Sequence, residues 1–417
     1  MLISRRMMAC AAGVAAVTLA IAGLTVHGRR STLSPGGAFT TSSPASVALA
    51  AVAAQESDIR DRDIEFYTAR AGRDRRSTLD RVALAGLLIT RARDGGSQAD
   101  LERAESLARE ALAISEHRNG RAFELLATVL MARHAFRDAH EIALRADSLE
   151  PQTPSHLALL GEVELELGLY DAAAAHFQAV KYDGKQFTIG ARLARWYEVT
   201  GNAAIARALL TRAAAAADRR DDLPREQVAW FHYRLGELER RTGRLNAAQA
   251  AFERALARHD GDIRALGGLA RVAVARGNWR DAIAFGERAT GAQLDPTTLG
   301  DVSQAYAALG DSAQSARFAV AMSVSALTQP GSIHRAWGLH LLDHGTPAER
   351  AEVLRRAQSE IGERRDVYGH DLLAWALHRA GRHAEAQLEM QRALSQRTED
   401  VQLAAHARAI HGALAAR

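Results

Sequence analysis

One cysteine in 417 residues, eight prolines and an aromatic content of 5% are the first constraints that this sequence sets. The lone Cys10 lies inside an N-terminal apolar segment. The rest of the chain therefore has neither an intramolecular disulfide nor a thiolate zinc site, and cysteine usage is silent on redox compartment. With so few aromatics, the 47% hydrophobic content is mostly Ala and Leu, both good helix formers, and strand-rich stretches are absent. Lysine is scarce as well, since only Lys181 and Lys185 occur. The positive charge is thus nearly all arginine, and a formal net charge of +4 is spread along segments that also carry Asp and Glu. Such mixtures read as solvated helix faces, so no nucleic-acid partner is expected. No Gly-rich phosphate loop, HExxH, CxxC or GxSxG elbow occurs, which leaves no motif for an enzyme and no cofactor to expect.

Arg5 and Arg6 precede an apolar run from Met7 to Val26, and His27, Arg29 and Arg30 follow it. Charge followed by a hydrophobic segment is the pattern of an export signal. Residues 1–26 are therefore read as a signal anchor or a signal peptide, with a small-x-small site at Ala20–Ala22 that permits cleavage. Residues 31–54 have no charge and no amphipathic period, so 27–57 is expected to be a flexible linker. Within 58–78, Ile64, Tyr67 and Ala71 recur at helical spacing and Ser77 follows as an N-cap, which predicts an N-terminal capping helix. This order places the bulk of the chain outside the cytoplasm, in the periplasm or cell envelope, with membrane contact only through the N-terminal segment.

From about residue 79 to 400 the sequence repeats. One unit carries Leu235 and Gly236, then Gly243, then Ala248, Phe252 and Ala255; its neighbour carries Leu269, Ala270, Gly277, Trp279, Ala282 and Ala289. Upstream, Leu160, Gly161, Gly168, Tyr170, Ala173 and Phe177 repeat the marks, as do Leu126, Ala127, Phe136, Ala139 and Ala146. Further turns fall at Gly201, Gly310, Gly345 and Gly381. These residues resemble the tetratricopeptide repeat and, more loosely, exported bacterial proteins built from it. The resemblance implies an all-α, right-handed α-solenoid of about eight hairpins with capping helices. Small residues sit where two helices approach closely, and Leu or Phe fills the space beside them. Turn glycines take a left-handed conformation after the first helix. A single hairpin cannot bury its apolar side alone, so each leans on its neighbours.

Two departures from the period stand out. Between Gly201 and Gly243 the spacing stretches, which predicts an extended second helix and a bend. Residues 401–417 supply a final capping helix, with His406 and Arg408 expected to face solvent.

In tetratricopeptide arrays the concave surface comes from the first helix of each hairpin. That rule, carried onto the middle units, selects Arg192, Arg195, Trp230, Tyr233, Arg234, Arg241, Arg264 and Arg271, with Glu162, Glu166, Glu198 and Glu237 among them. Arginine and aromatic residues carry much of the binding energy at protein interfaces, so these eight are the candidate binding residues, and a protein or peptide is the expected partner. The competing reading is that Trp230 and Tyr233 pack between helices while the arginines pair with those acids. The leading function is a protein–protein interaction scaffold. The alternative is a self-assembling or envelope-organising structural protein. A metal or enzymatic role would rest on His340 and His344, one helical turn apart, for which no third ligand is evident, so no metal site is expected.

Overall fold

The computed structural model describes residues 44–95, 97–328 and 333–415. The expected signal segment and the first part of the linker lie outside them. Among the described residues no helix is long and apolar enough to cross a membrane. Twenty helices and no strand appear among them. After α1 (Pro44–Arg73), nine hairpins follow, one more than the period suggests. They are α2 (Thr78–Gly95) with α3 (Gln98–Ile114), α4 (Gly120–Ala132) with α5 (Phe136–Leu149), and α6 (Pro154–Leu167) with α7 (Tyr170–Ala179). Next come α8 (Phe187–Val199) with α9 (Ala203–Ala217), α10 (Arg225–Arg241) with α11 (Leu245–Arg258), and α12 (Ile263–Arg276) with α13 (Trp279–Ala292). The last three are α14 (Pro296–Ala308) with α15 (Ser312–Thr328), α16 (Arg335–His344) with α17 (Pro347–Glu360), and α18 (Val367–Arg379) with α19 (His383–Ala393); α20 (Val401–Ala415) closes the chain.

The repeat marks act as packing elements. Phe252 is fully buried, and a Cβ on either Gly236 or Gly268 would lie 2.5 Å from its ring. Only glycine lets α10 and α12 close on that ring, whose burial contributes about 1.5–3 kcal/mol. Phe177 stands over Gly161 in the same way, at 2.7 Å from the position of a Cβ. Side chains supply several helix starts. Asp262 accepts from the backbone N–H groups of Arg264 and Ala265, Asp366 accepts from those of Tyr368 and Gly369, and Thr346 with Glu349 forms a capping box.

Four expectations change. Helix α1 begins at Pro44, so the second half of the expected linker is helical, and it ends at Arg73 instead of 78; alanine in 45–54 favours helix once Ile64 and Ala71 anchor the helix against the array. The long spacing after Gly201 does not lengthen the second helix, because α9 has 15 residues against 14 in α11. The extra length goes into the connection 218–224 and into α10, which has 17 residues against 14 in α12. Gly345 has φ −76°, so the capping box at Thr346 replaces the left-handed turn there. His406 is buried, 6% exposed, with Nδ1 2.7 Å from Asp371 and its ring stacked on Trp375 at 4.3 Å. That buried carboxylate draws it inward, whereas Arg408 is exposed as expected.

The array curls until non-neighbouring hairpins touch. Three successive turn glycines meet C-terminal segments: Gly168 lies against Arg365 and Asp366, Gly201 against Arg397, and Gly243 against Val401. At Gly168 and Gly201 a Cβ would stand 2.4 Å from backbone atoms of the opposing segment. Along this seam the Val367 N–H donates to the Tyr170 hydroxyl at 2.7 Å, and the Ala203 N–H donates to Glu399 at 3.1 Å. A second seam joins the start of the array to its middle, where Asp94 accepts from Arg60 at 2.9 Å and lies 2.8 Å from His259. Glu56 accepts from the Arg225 N–H at 3.2 Å.

Candidate binding lumen

The two seams turn the concave face into a lumen with two adjoining cavities, of about 600 and 540 Å³. All eight residues selected from sequence line them. Tyr233, Arg264 and Arg271 face the first, Arg192, Trp230 and Arg234 face the second, and Arg195 and Arg241 belong to both. Their common origin is the first helix of each hairpin: Arg192 and Arg195 on α8, Trp230, Tyr233, Arg234 and Arg241 on α10, Arg264 and Arg271 on α12.

Most of these arginines are already engaged. Arg192 sits 3.0 Å from Glu162, Arg195 3.2 Å from Glu166, Arg234 3.0 Å from Glu198, Arg264 2.7 Å from Glu226 and Arg271 3.2 Å from Glu237. Each pair joins a first helix to the first helix of the preceding hairpin. The result is a ladder of ion pairs along the wall, continued by Arg335 with Asp371. Glu198 is only 4% exposed and faces three guanidiniums, Arg195, Arg234 and Arg241. Burial alone would raise its pKa, but those three cations outweigh burial and hold it at about 2. Glu237 is likewise held well below the usual range by Arg240, Arg271 and Arg241, against burial. Asp301 goes the other way: burial pushes it up to about 7, although Arg271 and Arg240 oppose the rise.

The aromatic faces are also in use. Arg264 lies over Tyr233 at 5.8 Å, and Trp230 meets Phe231 edge-on at 4.9 Å. The competing reading from sequence thus describes the resting wall, in which the acids neutralise the arginines and the aromatics pack. Groove-lining and paired are compatible descriptions of the same side chains.

Sequence reasoning missed Tyr368, Arg335 and Arg93. Tyr368 stands in the lumen with Arg335, Arg241 and Arg195 at 5.0, 5.1 and 5.8 Å from its ring centre, and its hydroxyl accepts from Arg241 at 2.7 Å. It precedes Ala374 by the same interval that separates Trp230 from Gly236 and Arg264 from Ala270. The helix rule, extended beyond the middle units, would have reached it. Arg335 stands before Gly338 as Tyr233 stands before Gly236. Arg93 belongs to the irregular first unit and had no such signal. His340 and His344 face each other at 5.1 Å between ring centres, yet among the described residues no group of three or more His, Cys, Asp or Glu is placed to hold a metal ion. Burial lowers His340 to about 4, with His344 adding to the effect.

Two family models described as tetratricopeptide repeat match the chain, one over residues 124–186, which spans α4 to α7, and one over 240–309, which spans α11 to α14. The chain is a tetratricopeptide-repeat protein. Tetratricopeptide arrays generally serve as scaffolds that bind proteins or peptides. No curated protein matches the sequence of this tetratricopeptide-repeat chain. Among solved structures, human IFIT1 as a dimer with m7Gppp-AAAA is similar at 15% identity and TM-score 0.51, over 76% of this chain and 72% of its own. A chain of the APC/C hetero-tetramer Cut9-Hcn1 is similar at 14% identity and TM-score 0.47; the match covers 81% of this chain but only 56% of that one. PilW, a type IV pilus biogenesis factor, is similar at 18% identity and TM-score 0.42, over 54% of this chain and 99% of its own.

Proposed function

We propose that this tetratricopeptide array acts outside the cytoplasm, without catalysis, as a scaffold that holds an extended segment of a partner polypeptide in its lumen. The observation that carries the reading is the convergence of Arg192, Arg195, Trp230, Tyr233, Arg234, Arg241, Arg264 and Arg271 on two adjoining cavities that share Arg195 and Arg241. A ready-made scaffold limits the entropy lost when the segment docks. The export-like N-terminus supports the location, and membrane contact would come through that segment alone.

The test is site-specific photo-crosslinking from Arg192 and Trp230 in cells that make the full chain, with Arg254 on the outer face of α11 as the control position. The expected result is a discrete crosslinked protein from the two lumen positions and none from Arg254. Crosslinks from Arg254 alone would move the interface to the convex side and end this reading. Fractionation of the same cells tests the location, and recovery of the intact chain with cytoplasmic markers would contradict it.

A further inference from the structure

Among the wall's charges one stands apart. Arg93, in the last turn of α2, lines both cavities, and among the described residues its side chain makes no hydrogen bond and no ion pair. The carboxylates that share the second cavity with it are committed elsewhere, Glu124 to Arg121 at 3.1 Å, Glu162 to Arg192, Glu166 to Arg195 and Glu226 to Arg264. The position is reached by a local irregularity. Seven residues after Gly161, Gly236 and Ala270, the chain turns at the left-handed Gly168, Gly243 and Gly277. Seven residues after Ala85 comes Ala92, still helical, and α2 runs on to Gly95. The overrun carries Arg93 into the lumen, opposite α8, α10 and α12. The Arg93 side chain is exposed to the lumen, yet desolvation by the enclosing walls lowers its pKa, and the guanidiniums of Arg264, Arg121 and Arg192 act in the same direction against Glu226. An uncompensated cation in such surroundings is stabilised by whatever anion arrives.

We propose that Arg93 is the anchor for an acidic side chain of the partner segment, so that the lumen selects extended peptides with a Glu or Asp at the level of α8 and α10. This rests on the groove reading above. Of the eight arginines that line the first cavity, seven have carboxylate partners and only Arg93 has none among the described residues, so it is the point at which the lining can take an acidic occupant. The chain's own N-terminal stretch cannot supply one, because Glu56 is its first acidic residue. A peptide fits better than a single-stranded nucleic acid because Tyr233 and Tyr368 already have guanidiniums over their rings and Trp230 packs on Phe231, which leaves these aromatics poorly placed as stacking platforms for bases.

Fluorescence anisotropy with the purified full chain tests this, using a labelled ten-residue peptide of alternating Glu and Ser that carries a benzophenone, its Lys-for-Glu counterpart, and a 5′-triphosphorylated oligoadenylate. The glutamate peptide should bind, more weakly as salt rises, and the lysine peptide should not. Arg93→Gln should weaken the glutamate peptide about tenfold. Arg93→Lys should retain most of the affinity, and Arg254→Gln should change nothing. The melting temperature of Arg93→Gln should stay level or rise, since it removes an unpaired cation. Equal affinity of Arg93→Gln and wild type for a peptide that crosslinks within the lumen would overturn the anchor and leave the groove reading standing. Crosslinks on the convex face would overturn both. Failure of the wild type to bind the glutamate peptide overturns the anchor, as does tighter, Arg93-dependent binding of the oligoadenylate.

Discussion

Arginine and glutamate meet on both surfaces of this array, and the two sets of pairs differ in almost every physical respect. On the convex side stand pairs that are local, one helical turn apart and open to water, such as Arg355 with Glu352 and Arg382 with Glu385. On the concave side the ladder pairs are separated by about one repeat, and at Glu198 and Glu237 the carboxylates are buried. An exposed pair gains little Coulomb energy over two hydrated ions and is screened by salt. A buried pair cannot lose one member without stranding the other in a low-dielectric wall. The same residue types thus give solubility outside and repeat-to-repeat register inside.

The sharpest way to break that contrast is Glu198→Gln, which leaves Arg195, Arg234 and Arg241 facing one another. We expect a loss of about 3–5 kcal/mol, read as a fall in the urea midpoint of the full chain. Gly236→Ala comes next: its methyl would lie 2.5 Å from the Phe252 ring, at a cost of about 1–3 kcal/mol in the same assay. Gly86→Ala, with nothing within 4 Å of the added carbon, should instead be neutral or stabilising by up to about 1 kcal/mol.

Acid should act on the inner ladder late. The folded pKa of Glu198, about 2, lies below its unfolded value near 4.5, so its stabilisation is complete above about 4.5 and is lost as pH falls toward 2. Circular dichroism between pH 5 and 2 should therefore show the helices holding through the upper part of that window. The second seam has the opposite sign. Burial lowers the pKa of His259, but the hydrogen bond and charge of Asp94, with Asp262 and Glu226, outweigh it and leave the pKa raised. Its contribution is full below the ordinary histidine value near 6.5 and is lost as pH rises through the higher folded value. Arg60 also binds Asp94, so the effect is partial; amide exchange in α1 should quicken modestly at pH 8 relative to pH 6 after correction for intrinsic rates, and His259→Gln should abolish the difference. The smallest effect belongs to the outer face, where Glu352→Ala should leave the melting temperature in place.

Much of the fold was legible because each repeat mark has a local cause. The glycine turns, the small residue beneath Phe252 or Phe177 and the helical periods all work within a hairpin or between neighbours, over distances that a sequence displays directly. The concave positions were legible for the same reason, since a residue's place along its helix fixes the face it lies on. Where two local solutions compete the sequence was silent, as at Gly345, where the capping box removed the need for a left-handed turn.

By itself, then, the sequence determined an all-helical ladder of hairpins and the identity of its inner wall. Only the tertiary structure decided that the ladder closes on itself at Gly168, Gly201 and Gly243, that His406 turns inward to Asp371, and that Arg93 is left without a partner in the lumen. The closure and the surroundings of Arg93 depend on the cumulative rotation of one hairpin on the next, whereas the turn of His406 depends on the packing of α20 against α18. Small angles add over many repeats, and contacts between residues some two hundred positions apart follow from the sum and leave no mark in any single repeat.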